Sequence, residues 1–548
     1  MKRWRTWILF LLITLLSTAG RPCVAQGDGE GIPEPWNVIS IKSLDRGRIL
    51  LRELATEFPW KPLLTLLKRM DKVAALEGVD RTRPFLLLTS ADGKELSPPR
   101  MLMVIPVTDS LKFVDSCVTR FQVEAIKTSE GRWEIPNKDR KLTAVAIADN
   151  VLLMNDETLL PQAALVQKEL DEVDPAHDVT VSFRPAGVPT EVQQKLRESV
   201  LIPLKNWQRA LSEQPGPDSA MLQAMTTFLE EWWARWEGGT RRYDLGVCLD
   251  EQWRINGHWL AVPGSKLAKD LTSLRLKSAR FARPALHSSS GNAAEVALAI
   301  DVPNPVRGLL SLLFSRVWAH ASKEIGPLLR VEDLQPADGA FGAIASTISA
   351  GRLEAQLSFV PVGNRRFALL GSIGVQKADR IGESLNTVLP YAAQSDKIQE
   401  VRMDVISHES LRVHQVLLKE QHKDEVLLYG PDASLYMGMS SHAFLFANGG
   451  PATLKLMKQV KSEKVDDPDL MRIELRLRPW LTLLSQEAPN RRIFADWLKL
   501  FPGGDQGDLI ELHIQSRPNE LRSQLEIDRD LLKVVGRLLF PPALPEKQ

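Results

Sequence analysis

Cysteine is scarce, with three in 548 residues, and that scarcity excludes a disulfide-stapled scaffold. Cys23 lies in a segment read below as removable, which leaves Cys117 and Cys248. A bridge between them needs Cα atoms within about 7 Å, and the two fall in segments assigned to different subdomains. Two buried free thiols, each behaving as a small hydrophobe, are expected. Dense Lys/Arg clusters are also missing, so nothing here attracts nucleic acid. No Gly-rich strand-to-helix phosphate loop occurs, which removes support for the common nucleotide-binding plans. Neither a Gly-x-Ser-x-Gly elbow nor a Ser or Cys in an activating local setting is present. Triad members can lie far apart in a chain, so an enzyme with dispersed residues stays open.

What is present begins at the N-terminus. Met1-Lys2-Arg3-Trp4-Arg5 forms a positive region ahead of the apolar run "WILFLLITLLSTAG", residues 7–20. The run is shorter than the roughly 20 apolar residues that span a bilayer. Cys23 and Ala25 sit at the −3 and −1 places of a cleavage site, so residues 1–25 read as a secretory signal cut after Ala25. Arg21 and Pro22 directly before Cys23 argue against lipidation. Cleavage removes Lys2, Arg3, Arg5 and Arg21 and takes the formal charge from +1 to −3. The mature chain is therefore expected in the periplasm or at the cell surface, with membrane attachment only if the leader stays uncleaved.

About 520 mature residues are too many for one core, and several stretches recur. "EEWWARWEGGTRRYDLGVCL" at 230–249 is echoed by "ADWLKLFPGGDQGDLIELHI" at 495–514; Trp232 precedes Gly238 by six residues, as Trp497 precedes Gly503. Each reads as an amphipathic helix with its Trp buried, stopped by glycines that tolerate positive φ. "VTVSFRP" at 179–185 matches "IELRLRP" at 473–479, alternating strands halted by Arg184-Pro185 and Arg478-Pro479. "VISIKSLDRGRILLREL" at 38–54 matches "ALAIDVPNPVRGLLSLL" at 297–313. The hairpin "LTAVAIADNVLLMNDE" at 142–157, hinged at Asp149-Asn150, returns as "SLYMGMSSHAFLFANG" at 434–449 with Ser441-His442 at its tip. "DLGVCLDEQWRINGHWLAV" at 244–262 pairs with "DLIELHIQSRPNELRSQLEI" at 508–527. One order kept while spacings drift is the mark of insertions in surface loops, whose closure entropy grows slowly with length. "SEQPGPDSAM" at 212–221 reads as one such loop.

The fold class expected is α+β, as two tandem copies of a unit of antiparallel sheet plus helices, each copy made of two subdomains. The boundaries are 26–175 and 176–282 for the first copy, a linker at 283–294, then 295–465 and 466–548 for the second. Thr190 and Gln193 predict a capping box, with Val192, Leu196 and Val200 on one helical face behind it.

Candidate chemistry is thin. His408, Glu409 and His414 in "SHESLRVH" miss the four-residue histidine spacing of a zincin, and the segment alternates like two strands broken at His408-Glu409, so surface histidines are expected. His422 reads as part of a polar turn. Asp466, Asp467 and Asp469 resemble half of a calcium loop but lack the Gly and distal Glu, which leaves a solvated turn. In "EEWWARW", Trp232 and Trp236 share a face with Phe228 and are assigned to packing, while Trp233 stands to the flank, the one expected to be tested for exposure. No catalytic, cofactor or metal residues are assigned, and no cofactor is expected.

Residues shared by the halves are Gly, Pro, Trp, aliphatics and the Arg before Pro, which build a fold rather than catalyse. With its leader, duplicated body and segments of the "VAIADNVLLMND" kind, the chain resembles large exported proteins of bacterial envelopes. That resemblance has no assigned reaction, and no site residues follow from it. The function expected is a non-enzymatic envelope protein that binds a protein or envelope component through a groove between duplicated halves; the alternative is a secreted hydrolase with dispersed residues.

Overall fold

The computed structural model describes residues from 37 to 539, apart from 59–60, 91–99, 138–139, 158, 160–162, 189–192, most of 195–216, 251, 276–282, 286–290, scattered positions of 305–318, 320–330, 364–365, 409–410, 459–460, 464–468, 488–490 and 502–506. The expected leader and Thr190 lie outside the described residues. Two compact units emerge: one holds residues up to 203 with 233–267 and 532 onward, the other 204–232 and 268–531. Both are α+β, helices lying between antiparallel strands.

The first unit contains β1 (Asn37–Ile41), β2 (Phe85–Ser90), β3 (Arg100–Pro106), β4 (Ile126–Ser129), β5 (Arg132–Asn137), β6 (Arg140–Ile147), β7 (Asn150–Met154), β8 (Val179–Phe183), β9 (Thr240–Leu249) and β10 (Gln252–Ala261). Antiparallel pairing sets the order β4-β5-β6-β7-β3-β2-β1-β8-β9-β10. Alternation explains which face is buried: Leu86 and Leu88 on β2, Leu102 and Val104 on β3, and Leu152 and Met154 near the sheet centre join Val38 in one core. Its helices are α1 (Leu44–Glu57), α2 (Lys61–Ala74), α3 (Ser110–Phe121), α4 (Ala163–Asp171) and the greater part of the Trp-bearing end of α5 (Pro217–Gly239). Capping fixes where they start: the Ser43 hydroxyl accepts from Arg46 N before α1, and the Asp109 carboxylate accepts from Leu111 N and Lys112 N before α3. Phe113, Val114 and Cys117 of α3 pack on Ile105, Trp133 and Val151.

The second unit contains a short pair, β11 (Arg283–Ala285) and β19 (Lys461–Glu463), and a larger sheet. Its strands are β12 (Ala294–Asp301), β13 (Arg352–Val362), β14 (Arg366–Gly374), β15 (Ile398–His408), β16 (Leu411–Leu418), β17 (Ser434–Met439), β18 (Ala443–Gly449), β20 (Asp469–Arg476), β21 (Leu509–Arg517) and β22 (Glu520–Asp528). Here the antiparallel order is β15-β16-β17-β18-β14-β13-β12-β20-β21-β22. Helices α6 (Lys266–Ser273), α7 (Val331–Ser349), α8 (Ala378–Ala392), α9 (Lys423–Tyr429), α10 (Pro451–Lys458), α11 (Leu477–Glu487), α12 (Arg491–Leu498) and α13 (Arg529–Leu539) complete the described elements. From residue 268 α6 groups with the second unit, where Leu271 O accepts from Ser516 Oγ at 2.5 Å. From residue 532 α13 groups with the first, where Gly536 lies so close to Glu57 O that a Cβ would meet it at 2.3 Å.

Several local expectations are corrected. The turn between β6 and β7 falls at Ala148-Asp149, with Ala148 at φ 49° and Asn150 already in strand. Residues 217–221 are the start of α5 rather than loop, since Pro217 supplies the fixed φ that suits a first helical turn. Trp233, not Trp232, is the buried member of the tryptophan run, 9 % exposed against 39 %. Its ring centroid lies 5.1 Å from that of Trp236, which in turn stacks on Phe183 at 6.1 Å. Neither Gly238 nor Gly239 has positive φ. Gly239 is required for another reason: a Cβ there would meet Leu267 Cβ at 2.6 Å. The expected linker contains β11 because its backbone finds a partner in β19.

Candidate binding site

β1, β8, β9 and β10 of the first unit carry small and polar residues on one face. Register puts Ser40, Thr180, Gly246 and Asn256 in one cross-strand row, and Val38, Ser182, Asp244 and His258 in the next. The C-terminal turn of α4 and the segment that follows lie over these rows and contribute Glu169, Glu172, Asp174 and His177. Together they line a small pocket, about 80 Å³ in volume, that opens to solvent.

The floor is shaped by an absence of side chain. A Cβ at Gly246 would come within 2.5 Å of the His177 ring, so only glycine lets that imidazole lie across β9. His177 is 7 % exposed; its Nδ1 sits 3.0 Å from Asp174 Oδ2, and its Nε2 is 2.8 Å from Asn256 Nδ2. The Nδ1 approach to Asp174 lacks hydrogen-bond geometry, whereas Nε2 is hydrogen-bonded to the Asn256 amide nitrogen and, while it accepts from that amide, is not available to take a proton from a hydroxyl.

Two arginines tie the acids in place. Arg184 grips Glu169 through both guanidinium nitrogens at 2.7 Å, with Glu169 5 % exposed. Losing either partner of so buried a pair costs about 3–5 kcal/mol. Arg242 spans Glu172 and Asp244, donating from Nη1 to Glu172 Oε2 and from Nε to Asp244 Oδ2, each at 2.7 Å. Asp244 is 8 % exposed, and its second oxygen, Oδ1, has no hydrogen-bond partner among the described residues. A buried acceptor left without a donor costs about 1–3 kcal/mol.

The strands at the corresponding end of the second sheet order, β20, β21 and β22, also carry charge on one face. Glu474, Glu511 and Glu526 form one row, and Arg472, His513 and Gln524 the next. These groups close on one another: His513 Nδ1 lies 2.6 Å from Asp469 Oδ2 and Nε2 2.8 Å from Glu511 Oε1, Gln515 donates to Asp469 Oδ1 at 2.8 Å, and Arg472 pairs with Glu474. Burial alone would lower the His513 pKa, but the hydrogen bonds to Asp469 and Glu511 outweigh it and raise the pKa.

The residues singled out in the sequence are scattered. His408 and His414 do lie on two strands of one hairpin, β15 and β16, and Glu409 is outside the described residues. His414 is not on the surface: it is 2 % exposed, its Nδ1 accepts from Asp404 N at 3.1 Å, and burial depresses its pKa. His422 is exposed at the start of α9, where its N–H donates to Glu425 Oε2. Asp466 and Asp467 lie outside the described residues; Asp469 is buried in β20 and holds His513, instead of sitting in a solvated turn. Thr190 of the expected capping box lies outside the described residues, and Gln193 donates to the carbonyls of Pro185 and Val188. Cys117 and Cys248 are buried and free. Among the described residues no group of three or more His, Cys, Asp or Glu is placed to hold a metal ion, and no helix is long and apolar enough to cross a membrane.

His177, Arg242 and Asp244 were missed because no spacing rule joins them. The faint signal was "DPAHD", an acid and histidine bunch directly before β8, the strand that Arg184 follows. No protein-family model, curated protein or solved structure matches this chain.

Proposed function

We propose that this chain is an exported, internally duplicated α+β protein that binds a ligand without transforming it, and that the ligand sits in the pocket over β1, β8, β9 and β10. The leader at 1–25 supports export. Duplication is supported by strand order: each of the ten positions from β4 to β10 has a counterpart in the order from β15 to β22. The observation that carries the binding reading is the state of the charged side chains. Glu169, Glu172, Asp174 and His177 are each fixed by a partner, as suits a preorganised recognition surface. An envelope component is the natural source of the ligand for an exported protein.

The rival is a hydrolase using His177 with Asp174 and a hydroxyl of Ser40 or Ser182 in the same lining. It is weakened by the engagement of His177 Nε2 with Asn256. Mass spectrometry of the native protein is expected to give a first residue of Gln26. Purified mature protein is expected to show no turnover of chromogenic ester, glycoside, phosphate or peptide substrates. Hydrolysis that Ser182→Ala or His177→Ala abolishes would replace this reading with the rival.

A further inference from the structure

We propose that the outward face of α2 docks on an anionic phospholipid surface and holds the mature chain against a membrane without help from the leader, a role independent of the pocket. Helical periodicity divides α2 (Lys61–Ala74) into two faces. Leu63, Met70 and Ala74 are buried with Leu44 and Leu51 of α1, so the apolar face is committed to the core. On the other side Lys61, Lys68, Arg69 and Lys72 are all exposed, and helical spacing gathers them into one stripe although no run of the sequence here is dense in Lys or Arg. None of the four enters an ion pair among the described residues. Asp71, the only acid of α2, is taken from the α1 side by Arg48 at 2.8 Å. Leu64 and Leu66 border the stripe, 36 % and 38 % exposed.

Charge complementarity names the occupant. With residues 1–25 removed the formal charge is −3, so the molecule as a whole is not drawn to an anionic surface. Screening limits the field to about 8 Å at physiological salt, and a surface lying on α2 therefore meets the stripe rather than the total charge. Each Lys or Arg close to an anionic bilayer strengthens binding about fivefold. Leu64 and Leu66 then rest where headgroups meet acyl chains. An acidic polypeptide would match the cations and leave both leucines in water. Because the fully apolar face of α2 is already spent on the core, the contact is shallow, driven by charge and sensitive to salt.

The test is flotation of the full mature chain with vesicles of phosphatidylglycerol and phosphatidylcholine in equal parts, with pure phosphatidylcholine vesicles and poly-L-glutamate alongside. Binding to the anionic vesicles is expected, and its loss in about 1 M salt, where screening confines charge attraction to roughly 3 Å. Lys72→Gln is expected to weaken it about fivefold, and Lys68→Gln combined with Arg69→Gln about 25-fold. Glutamine keeps the helix, and thermal melting shows that the variants stay folded. Lys397→Gln combined with Lys419→Gln removes the same charge from two exposed positions of the second unit and is expected to leave binding unchanged. No binding to anionic vesicles, equal binding to pure phosphatidylcholine, binding that survives the salt, or equal weakening by the two pairs of substitutions overturns the proposal. Binding to poly-L-glutamate as tight as to the vesicles, or tighter, overturns it in favour of an acidic polypeptide.

Discussion

Arg46 holds Asp178 in a two-pronged grip, Nε to Oδ1 at 2.8 Å and Nη2 to Oδ2 at 2.9 Å. The same carboxylate accepts from Leu249 N at 2.9 Å, so one buried acid joins α1, the approach to β8 and the end of β9. Asp178→Asn keeps the shape and removes the charge. With Arg46 partly exposed, the expected loss is about 2–4 kcal/mol. Urea unfolding of the two proteins measures it, and a loss below 1 kcal/mol, about the worth of an exposed pair, would contradict the stitching role.

The tryptophan run offers a direct contrast. Trp233 is buried against Trp236, whereas Trp232 is 39 % exposed. Trp233→Ala is expected to cost about 3–5 kcal/mol by leaving a cavity, and Trp232→Ala about 1 kcal/mol or less. Thermal denaturation of both variants decides, and a reversed ranking would restore the face expected from sequence.

Two histidines predict opposite pH responses. The raised His513 pKa means its contribution to stability is complete below the unfolded value, about 6.5, and fades as pH rises through the folded value. The depressed His414 pKa means its contribution is complete above about 6.5 and fades as pH falls through the folded value. Denaturant midpoints measured across that range are expected to become less pH-dependent on the alkaline side in His513→Gln and on the acid side in His414→Gln. The opposite pairing of variant and pH limb would refute both assignments.

Gly246→Ala places a methyl where the His177 ring lies, 2.5 Å away. Overpacking of this kind costs about 1–3 kcal/mol. Movement of His177 is expected to be visible as a changed imidazole resonance. An unchanged resonance with full stability would mean that the ring does not rest on this glycine.

Both thiols are buried, and burial pushes the Cys117 thiol up to about 11. Neither is expected to react with a thiol reagent at neutral pH in the native protein, while both react in denaturant. Native reactivity at Cys117 would show that the α3 core opens.

Much of the fold was legible because it depends on local rules. Alternation along "VTVSF" and "VAIADNVLLM" marks strands, and Pro185 marks where one stops. Boundaries were poorer where a long-range contact decided them. Gly239 is glycine because of Leu267, and Trp233 rather than Trp232 is buried because Trp236 and Phe183 complete its surroundings. His414 looked like a surface residue because a polar residue on a strand normally faces water, yet the bulge that puts Asp404 at φ 52° aims an N–H at its ring.

By itself the sequence determined the α+β elements, the scarcity of thiols and the order in which strand and helix follow each other, since each is written in neighbouring residues. Only the tertiary structure decided the site. Glu169, His177, Asp244 and Asn256 are separated by up to 87 positions in the chain, and cross-strand register is what sets their side chains on one face. Register is a relation between strands, so no stretch read alone contains it.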